Sequence, residues 1–402
     1  MPITSVLYLA SGALSLLGNL VAGIALPLLV LVRTGDVTAA GVVAAAVGLP
    51  TVAAAVFGGI VVDRWGRRRV SIGADLASAA SVSALPLVDA LWGLDLAAFV
   101  VLGVVGALFD LPGMTAREAL LPDVAAASGT PLERLSGLRE GVQGVLMVVG
   151  PLAGGALVVL LPGSAVLWVT AACSAAAAGV TALLPRGTAP SPAPRRGGWW
   201  ADLREGGAVL RRDPVLSGLT ALSSASVLVM APLVVLLLPA HLVATGTPGR
   251  LGPLVAASAV GGLLGAIVYV GVGRRLSRRT WLVGCTAGAA VMFTWFASLP
   301  SSGWMLLAIG LLGLVSGPLA PLVAVITAER VPEDARGRVL GLQNAAALLA
   351  SPAGMLCAGL LVGGVGLRAT ALVLAGVWVV LTAGALLLPG LRSLEVTGAD
   401  HR

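Results

Sequence analysis

Asp110 is the only charged residue between Leu96 and Ala116. Asn19 stands halfway along another apolar run, Glu140 and Gln143 near the start of a third, and Ser223 and Ser224 in the middle of a fourth. Asn344, beside Gln343, holds in a late run the place that Glu140 and Gln143 hold in theirs. Polar groups in such surroundings lose the water they would otherwise bond to, so each marks a functional candidate. The chemistry they offer is narrow. His241 and His401, like Cys173, Cys285 and Cys357, are far apart in the chain, which gives neither a metal-ligand spacing nor a nucleophile beside a base. No G-x-x-x-x-G-K-[ST] loop occurs and the chain holds no lysine, which argues against an ATP-driven pump. Hydrogen bonding to a ligand and uptake of a proton remain. Asp110 is the first choice for the proton, because a carboxyl among apolar neighbours can load and release one as its surroundings change. A second reading stays open, in which Asp75, Asp110 and Glu140 are structural partners of Arg117 or Arg139.

The composition says which elements carry these side chains. The 402 residues are 58% apolar and 11% charged, with a mean hydropathy of +1.01, whereas a soluble domain carries about 25% charged residues. A bilayer, not water, dissolves such a chain. A spanning helix needs about 20 apolar residues. Cutting at charges and Pro/Gly breaks leaves twelve spans, at 5–32, 38–62, 70–91, 95–115, 136–161, 165–184, 214–238, 251–273, 280–299, 303–327, 338–362 and 368–389. Run length and the lack of period-two alternation exclude a barrel. The expected fold is an all-α membrane protein of twelve transmembrane helices. The first run is too long, with no basic stretch before it, to read as a cleavable signal.

All 25 basic residues are arginines, and they are unevenly placed. With the N-terminus in the cytoplasm, 21 fall in inward loops or the tail, three, Arg33, Arg250 and Arg368, in outward loops, and Arg139 sits just inside span 5. The positive-inside rule then puts both termini in the cytoplasm of a cell-membrane protein. Because these charges are scattered over short loops, the net charge of +7 does not point to nucleic acid.

Residues 186–213 form the longest polar stretch. Their Pro/Ser/Arg-rich first part reads as a linker. The second part predicts a short helix on the inner membrane surface, with Trp199, Trp200, Leu203 and Leu210 facing lipid. The stretch separates a six-helix bundle at 1–185 from a second at 214–390, followed by a tail at 391–402. The two bundles look related. "GRRLSRRT" after span 8 echoes "DRWGRRRV" after span 2, and "VPEDARGRVLGL" before span 11 echoes "LPDVAAASGTPLERLSGL" before span 5. Duplicated six-helix halves mark secondary transporters, which bind substrate near the midplane.

"GIVVDRWGRRR", residues 59–69, resembles the loop 2–3 signature of the major facilitator superfamily, G-x-x-x-D-R-x-G-R-R, matched by Gly59, Asp63, Arg64, Gly66, Arg67 and Arg68. Gly66 suits a tight turn, Gly59 a close helix approach, and Asp63 the positive N-terminus of another helix. The resemblance implies that Asp63 latches onto the start of span 11 and closes the cytoplasmic side. Arg117, at the inner end of span 4, is its expected ionic partner. In the second copy Arg274 stands where the acid would be. Span 5 holds "GPLAGG", with Gly150, Pro151, Gly154 and Gly155, similar to the helix 5 motif of the superfamily's antiporters. Gly137 fits the motif's first glycine, while Leu146 stands where another is usual. Ordinary small-residue packing is the other reading of these glycines. "FDLPGMTAREALLPDV", "LREGGAVLRRDPVL" and "VPEDARGRVLGL" resemble the efflux branch with enterobactin-exporter-like and macrolide-efflux-like proteins.

The resemblance implies proton-coupled export of a small amphiphilic compound, such as a drug or siderophore, by alternating access. It places Asn19, Asp110, Ser223 and Ser224 along spans that line the cavity. The Arg and Gln found in helix 4 of many drug–proton antiporters are absent from "LGVVGALFDLPG". A charge-poor cavity suits an amphiphile better than a sugar or phosphate. The protein is expected to act as a monomer in the lipid bilayer, with protons as coupling ion, without cofactor or metal, and not as an enzyme. An importer of a small nutrient and a non-transporting receptor are the alternatives.

Overall fold

The computed structural model describes residues 1–185, 199–299 and 302–387. The surroundings of Gly59, Asp63, Trp199, Trp200, Leu203 and Arg274, for which the sequence carries expectations, lie outside the described residues. The described residues form fifteen α-helices and no strand: α1 (Ile3–Thr34), α2 (Val37–Trp65), α3 (Arg67–Leu91), α4 (Leu96–Ser128), α5 (Leu132–Leu160), α6 (Val166–Ala182), α7 (Trp199–Arg212), α8 (Pro214–Pro232), α9 (Leu238–Ala244), α10 (Leu251–Val272), α11 (Arg278–Ala297), α12 (Ser302–Ser316), α13 (Leu319–Arg330), α14 (Glu333–Val365) and α15 (Leu367–Leu387). Hydrocarbon offers no partner for backbone N–H and C=O groups, so an apolar chain satisfies them within helices. Among the described residues twelve helical segments are long and apolar enough to cross a membrane. Short polar side chains start several of them. Asp36 accepts from Thr38 N, Asp95 from Ala98 N, Asp213 from Val215 N and Ser277 from Thr280 N.

The spans agree with the sequence at their apolar centres and differ at their ends. Span 4, expected to stop at 115, continues in α4 to Ser128. Charges end an apolar run, but they do not end a helix whose charged residues have partners. Span 7 passes from α8 to α9 through a π-helical turn at Leu233–Leu237. Span 10 is broken into α12 and α13 around Gly317 and Pro318. Proline has no N–H to continue the ladder, and Gly317 abuts the backbone of Gly262 so closely that a Cβ would collide with it.

The chain folds as two compact units. The first holds α1 to α6 together with Leu238–Ala256 and Met355–Leu360; the second holds α7, α8, Ala257–Gly354 and the residues from Leu361 onward. These units are not the halves 1–185 and 214–390 of the sequence, because two short stretches from the later half pack into the first unit. Glycines allow it. A Cβ on Gly155 of α5 would lie 2.9 Å from Gly252 Cα, and one on Gly41 of α2 would lie 2.9 Å from both Gly359 Cα and the Met355 carbonyl oxygen. Thr38 Oγ1 donates to the Gly359 carbonyl at 3.2 Å. Tyr8, Leu120, Val124, Ala125, Leu135 and Leu184 form one core cluster of the first unit. Leu219, Leu222, Leu282, Leu322 and Ile326 anchor a core of the second.

The helix expected over the second part of the linker forms as α7, and its Leu210 is covered by protein. Leu210 is buried in a cluster with Leu216, Val331, Ala335 and Val339. Glu205 accepts from Arg338 at 2.6 Å, and Gly206 lies against the Arg338 backbone. Leu210 therefore faces the start of α14, not lipid. Burial against apolar side chains satisfies it as well as lipid would, and Glu205 gains a partner there.

Candidate functional site

The first unit contains a cleft of about 90 Å³ between α1, α4 and α5. On α1, Tyr8, Gly12, Ser15 and Asn19 line it. Their spacing of four, three and four residues sets them on one helix face. Met114, Arg117 and Glu118 come from α4, and Arg139, Gln143 and Leu146 from α5. The walls thus alternate apolar surface with hydroxyl, amide and charged groups. Gly12 leaves room for the guanidinium stem: a Cβ there would touch Arg117 Cδ at 3.5 Å.

The charges of the cleft are paired in two ways. Arg117 Nη2 donates to Asp75 Oδ2 at 2.6 Å, and both side chains are buried, 11% and 6% exposed. Ser15 Oγ donates to the other oxygen, Asp75 Oδ1, at 3.0 Å. The Tyr8 hydroxyl donates to the Arg117 carbonyl at 3.2 Å. Arg117 Nε is buried without a hydrogen-bond partner among the described residues. The second set is wetter: Arg139 donates to Glu118 at 2.7 Å and to Glu140 at 3.2 Å. A buried pair is held by its partners, and breaking it from one side is costly; an exposed pair exchanges readily with water. Among the described residues no group of three or more His, Cys, Asp or Glu is placed to hold a metal.

Residues 8–274 and 234–400 both match the Major Facilitator Superfamily. The chain belongs to this superfamily. It is 35% identical to the Multidrug efflux pump Tap of Mycolicibacterium fortuitum, over 94% of each chain. It is 25% identical to Macrolide efflux protein A of Enterococcus faecalis, over 75% of this chain and 95% of that one. In fold it is similar to the nucleoside transporter NupG, with a TM-score of 0.77 at 15% identity over 95% of this chain and 98% of that one. It is also similar to a D-xylose-proton symporter, with a TM-score of 0.74 at 14% identity over 98% and 100%. It is a multi-pass membrane protein of the superfamily's twelve-helix, two-bundle fold.

The superfamily signature now has a geometry. Gly66 has a φ of 85° between α2 and α3, a conformation that favours glycine. Arg64 is exposed. Arg67 pairs with Asp123 at 3.1 Å, and Arg68 donates to the Ala182 carbonyl. The guanidinium that the sequence assigns to Asp63 is held by Asp75: Arg117 lies on the helix face that meets α3 and α1, where the buried carboxylate is its partner. In the helix 5 motif, Gly150 packs on Leu20 and Gly154 on Ile24, both of α1, while Gly155 meets Gly252. Pro151 is buried beside them, and Gly137 has open space around it.

Of the cavity candidates, Asn19 and Gln143 share the cleft. Asp110 is half-buried beside Ser78 of α3, outside the lining. Glu140 is exposed next to Arg139. Ser223 is half-buried, Ser224 Oγ is buried without a hydrogen-bond partner among the described residues, and Asn344 is exposed. Sequence reasoning missed Tyr8, Ser15 and Glu118. The polar stripe at 8, 12, 15 and 19 was a signal for the first two, since its period is helical.

Proposed function

We propose that this protein exports small amphiphilic, drug-like compounds across the cell membrane in exchange for protons, as a single chain working by alternating access. One observation carries the reading: 35% identity over 94% of both chains to the Multidrug efflux pump Tap. At that extent the whole transport body is shared, not a module of it. The cleft carries more charge than the sequence predicts, in Arg117, Glu118 and Arg139, but these are paired, and apolar walls with hydroxyls, amides and paired charges suit an amphiphile. Twelve crossings return the chain to the side it started from, and the arginine excess supports the cytoplasm as that side. Asp63, with Gly66 turning the chain behind it, serves as the conformational latch.

The test is transport by the purified protein in liposomes, with a panel of dyes, macrolides and siderophores. In inside-out orientation an acidic lumen should drive accumulation of at least one compound against its gradient. Accumulation driven only by a proton gradient of the opposite sense identifies an importer, and absence of flux under every gradient overturns the reading.

A further inference from the structure

Four carboxylates stand on α3, α4 and α5 near the cleft. Glu118 and Glu140 have side chains 56% and 62% exposed, so water screens them from what the cleft holds. Asp110 lies beside Ser78 and outside the lining. Asp75 is different. It sits just behind the cleft wall, and both side chains that hold it, Ser15 and Arg117, are part of that wall.

The groups around it are few. From α4, Arg117 touches it and Asp110 lies within electrostatic reach. From α1 come the Ser15 hydroxyl and, through the Arg117 backbone, Tyr8. α6 carries no charged residue, and its one thiol, Cys173, lies against Gly18 of α1. The charged residues of α2, Asp63 and Arg64, stand in its last turn. On α5, Arg139 of the cleft lining is engaged by Glu118 and Glu140. Arg117 is thus the single cation held against Asp75 among the described residues.

We propose that Asp75 carries the coupling proton and that the pair it makes with Arg117 sets the charge of the cleft wall, so that the site takes up amphiphilic cations when Asp75 is ionised and discharges them when it is protonated. The inference rests on the export reading and names its ligand class. With Asp75 ionised, Arg117 is neutralised and a cation meets no net repulsion from the wall. For protonation, a hydronium ion in the cleft gives its proton to Ser15 Oγ, leaving water, while the Ser15 hydroxyl proton passes to Asp75 Oδ1. The carboxyl becomes neutral, the guanidinium charge is no longer balanced, and a bound cation is repelled at short range in a medium of low dielectric. Loss of the proton by the reverse relay restores the site. Proton and cation therefore exclude each other, which is the condition for exchange.

The test is equilibrium binding of ethidium and tetraphenylphosphonium to the purified full-length protein in detergent, read by fluorescence and by radioligand, from mildly alkaline to mildly acidic pH. Wild type should bind about tenfold more weakly at the acidic end. Asp75→Asn should bind weakly at every pH, while Asp110→Asn should keep the wild-type profile. Because Asp75→Asn leaves Arg117 buried and unpaired, the double variant Asp75→Asn/Arg117→Gln is measured beside it. It should bind tightly and without pH dependence. Ser15→Ala, which removes the hydroxyl relay, should respond more slowly than wild type to a pH jump. A wild-type profile in Asp75→Asn or in the double variant, or a flat one in Asp110→Asn, overturns the inference. So does the absence of saturable binding of either cation. Transport in liposomes separates the two levels. A wild type that moves compounds uphill but binds cations without pH dependence defeats this inference alone, whereas a wild type that moves nothing defeats the export reading.

Discussion

Arg68 and Arg279 stand 211 positions apart and make the same bond: Arg68 Nη2 donates to the Ala182 carbonyl at the end of α6, and Arg279 Nη2 to the Leu386 carbonyl near the end of α15, the latter at 3.0 Å. Their predecessors repeat as well. Arg67 pairs with Asp123 towards the end of α4, and Arg278 with Glu329 at the end of α13. The second copy of the loop has Arg274 in the acid's place, yet it keeps these two contacts. In both copies the arginines tie the third helix of a half to the ends of its fourth and sixth, where unpaired carbonyls and the helix dipole favour a cation. Arg68→Gln and Arg279→Gln should each destabilise the protein by about 0.5–1 kcal/mol. Their effects should add, since the sites share no partner. Thermal unfolding in detergent measures this; a silent Arg279→Gln beside a destabilised Arg68→Gln would break the equivalence.

Gly252→Ala should be far more damaging than its size suggests. A Cβ at 252 collides with the Pro151 carbonyl oxygen and lies 2.9 Å from Gly155 Cα, and the backbone on both sides has nowhere to go. The expected loss is about 1–3 kcal/mol, with transport reduced. Gly137→Ala, in open space, is the control and should leave both unchanged.

Leu210→Ala distinguishes a docked α7 from one lying in lipid. Removing a side chain that is 7% exposed within a protein cluster should cost about 2–3 kcal/mol. A lipid-facing leucine would shift the unfolding midpoint in detergent very little.

On the proposed latch role, Asp63→Asn should insert and fold at wild-type yield but lose transport. Size-exclusion profiles and liposome flux measured together check both parts. Full flux in this variant would remove the latch.

Asn19→Leu and Gln143→Met roughly keep side-chain shape and reach but delete the amides of the cleft. Each should raise the apparent KM for an exported compound about tenfold, the equivalent of one lost hydrogen bond, with the maximal rate little changed. An unchanged KM in both would show that the compound binds elsewhere.

The amide positions show how much of the site was legible in advance. Asn19 and Gln143 stood out because a polar residue in an apolar run is costly wherever the helix packs. Asp110 stood out for the same reason, yet it lies outside the lining. Its conspicuousness came from the emptiness of its own segment, whereas Asp75, in the more polar "SIGADLASAAS", drew less notice and holds the buried cation.

By itself the sequence determined that this is a twelve-span membrane protein with repeated halves and a glycine turn after span 2. Those properties follow from local quantities: the transfer free energy of about 20 consecutive side chains, the placement of arginines, and the φ that only glycine adopts readily. The tertiary structure decided who pairs with whom. Arg117 and Asp75 are 42 positions apart on different helices, and Leu210 of the linker meets Val339 of α14 across several spans. Partner choice depends on which helix faces meet, and that is fixed by packing across the whole unit rather than by any window of the chain.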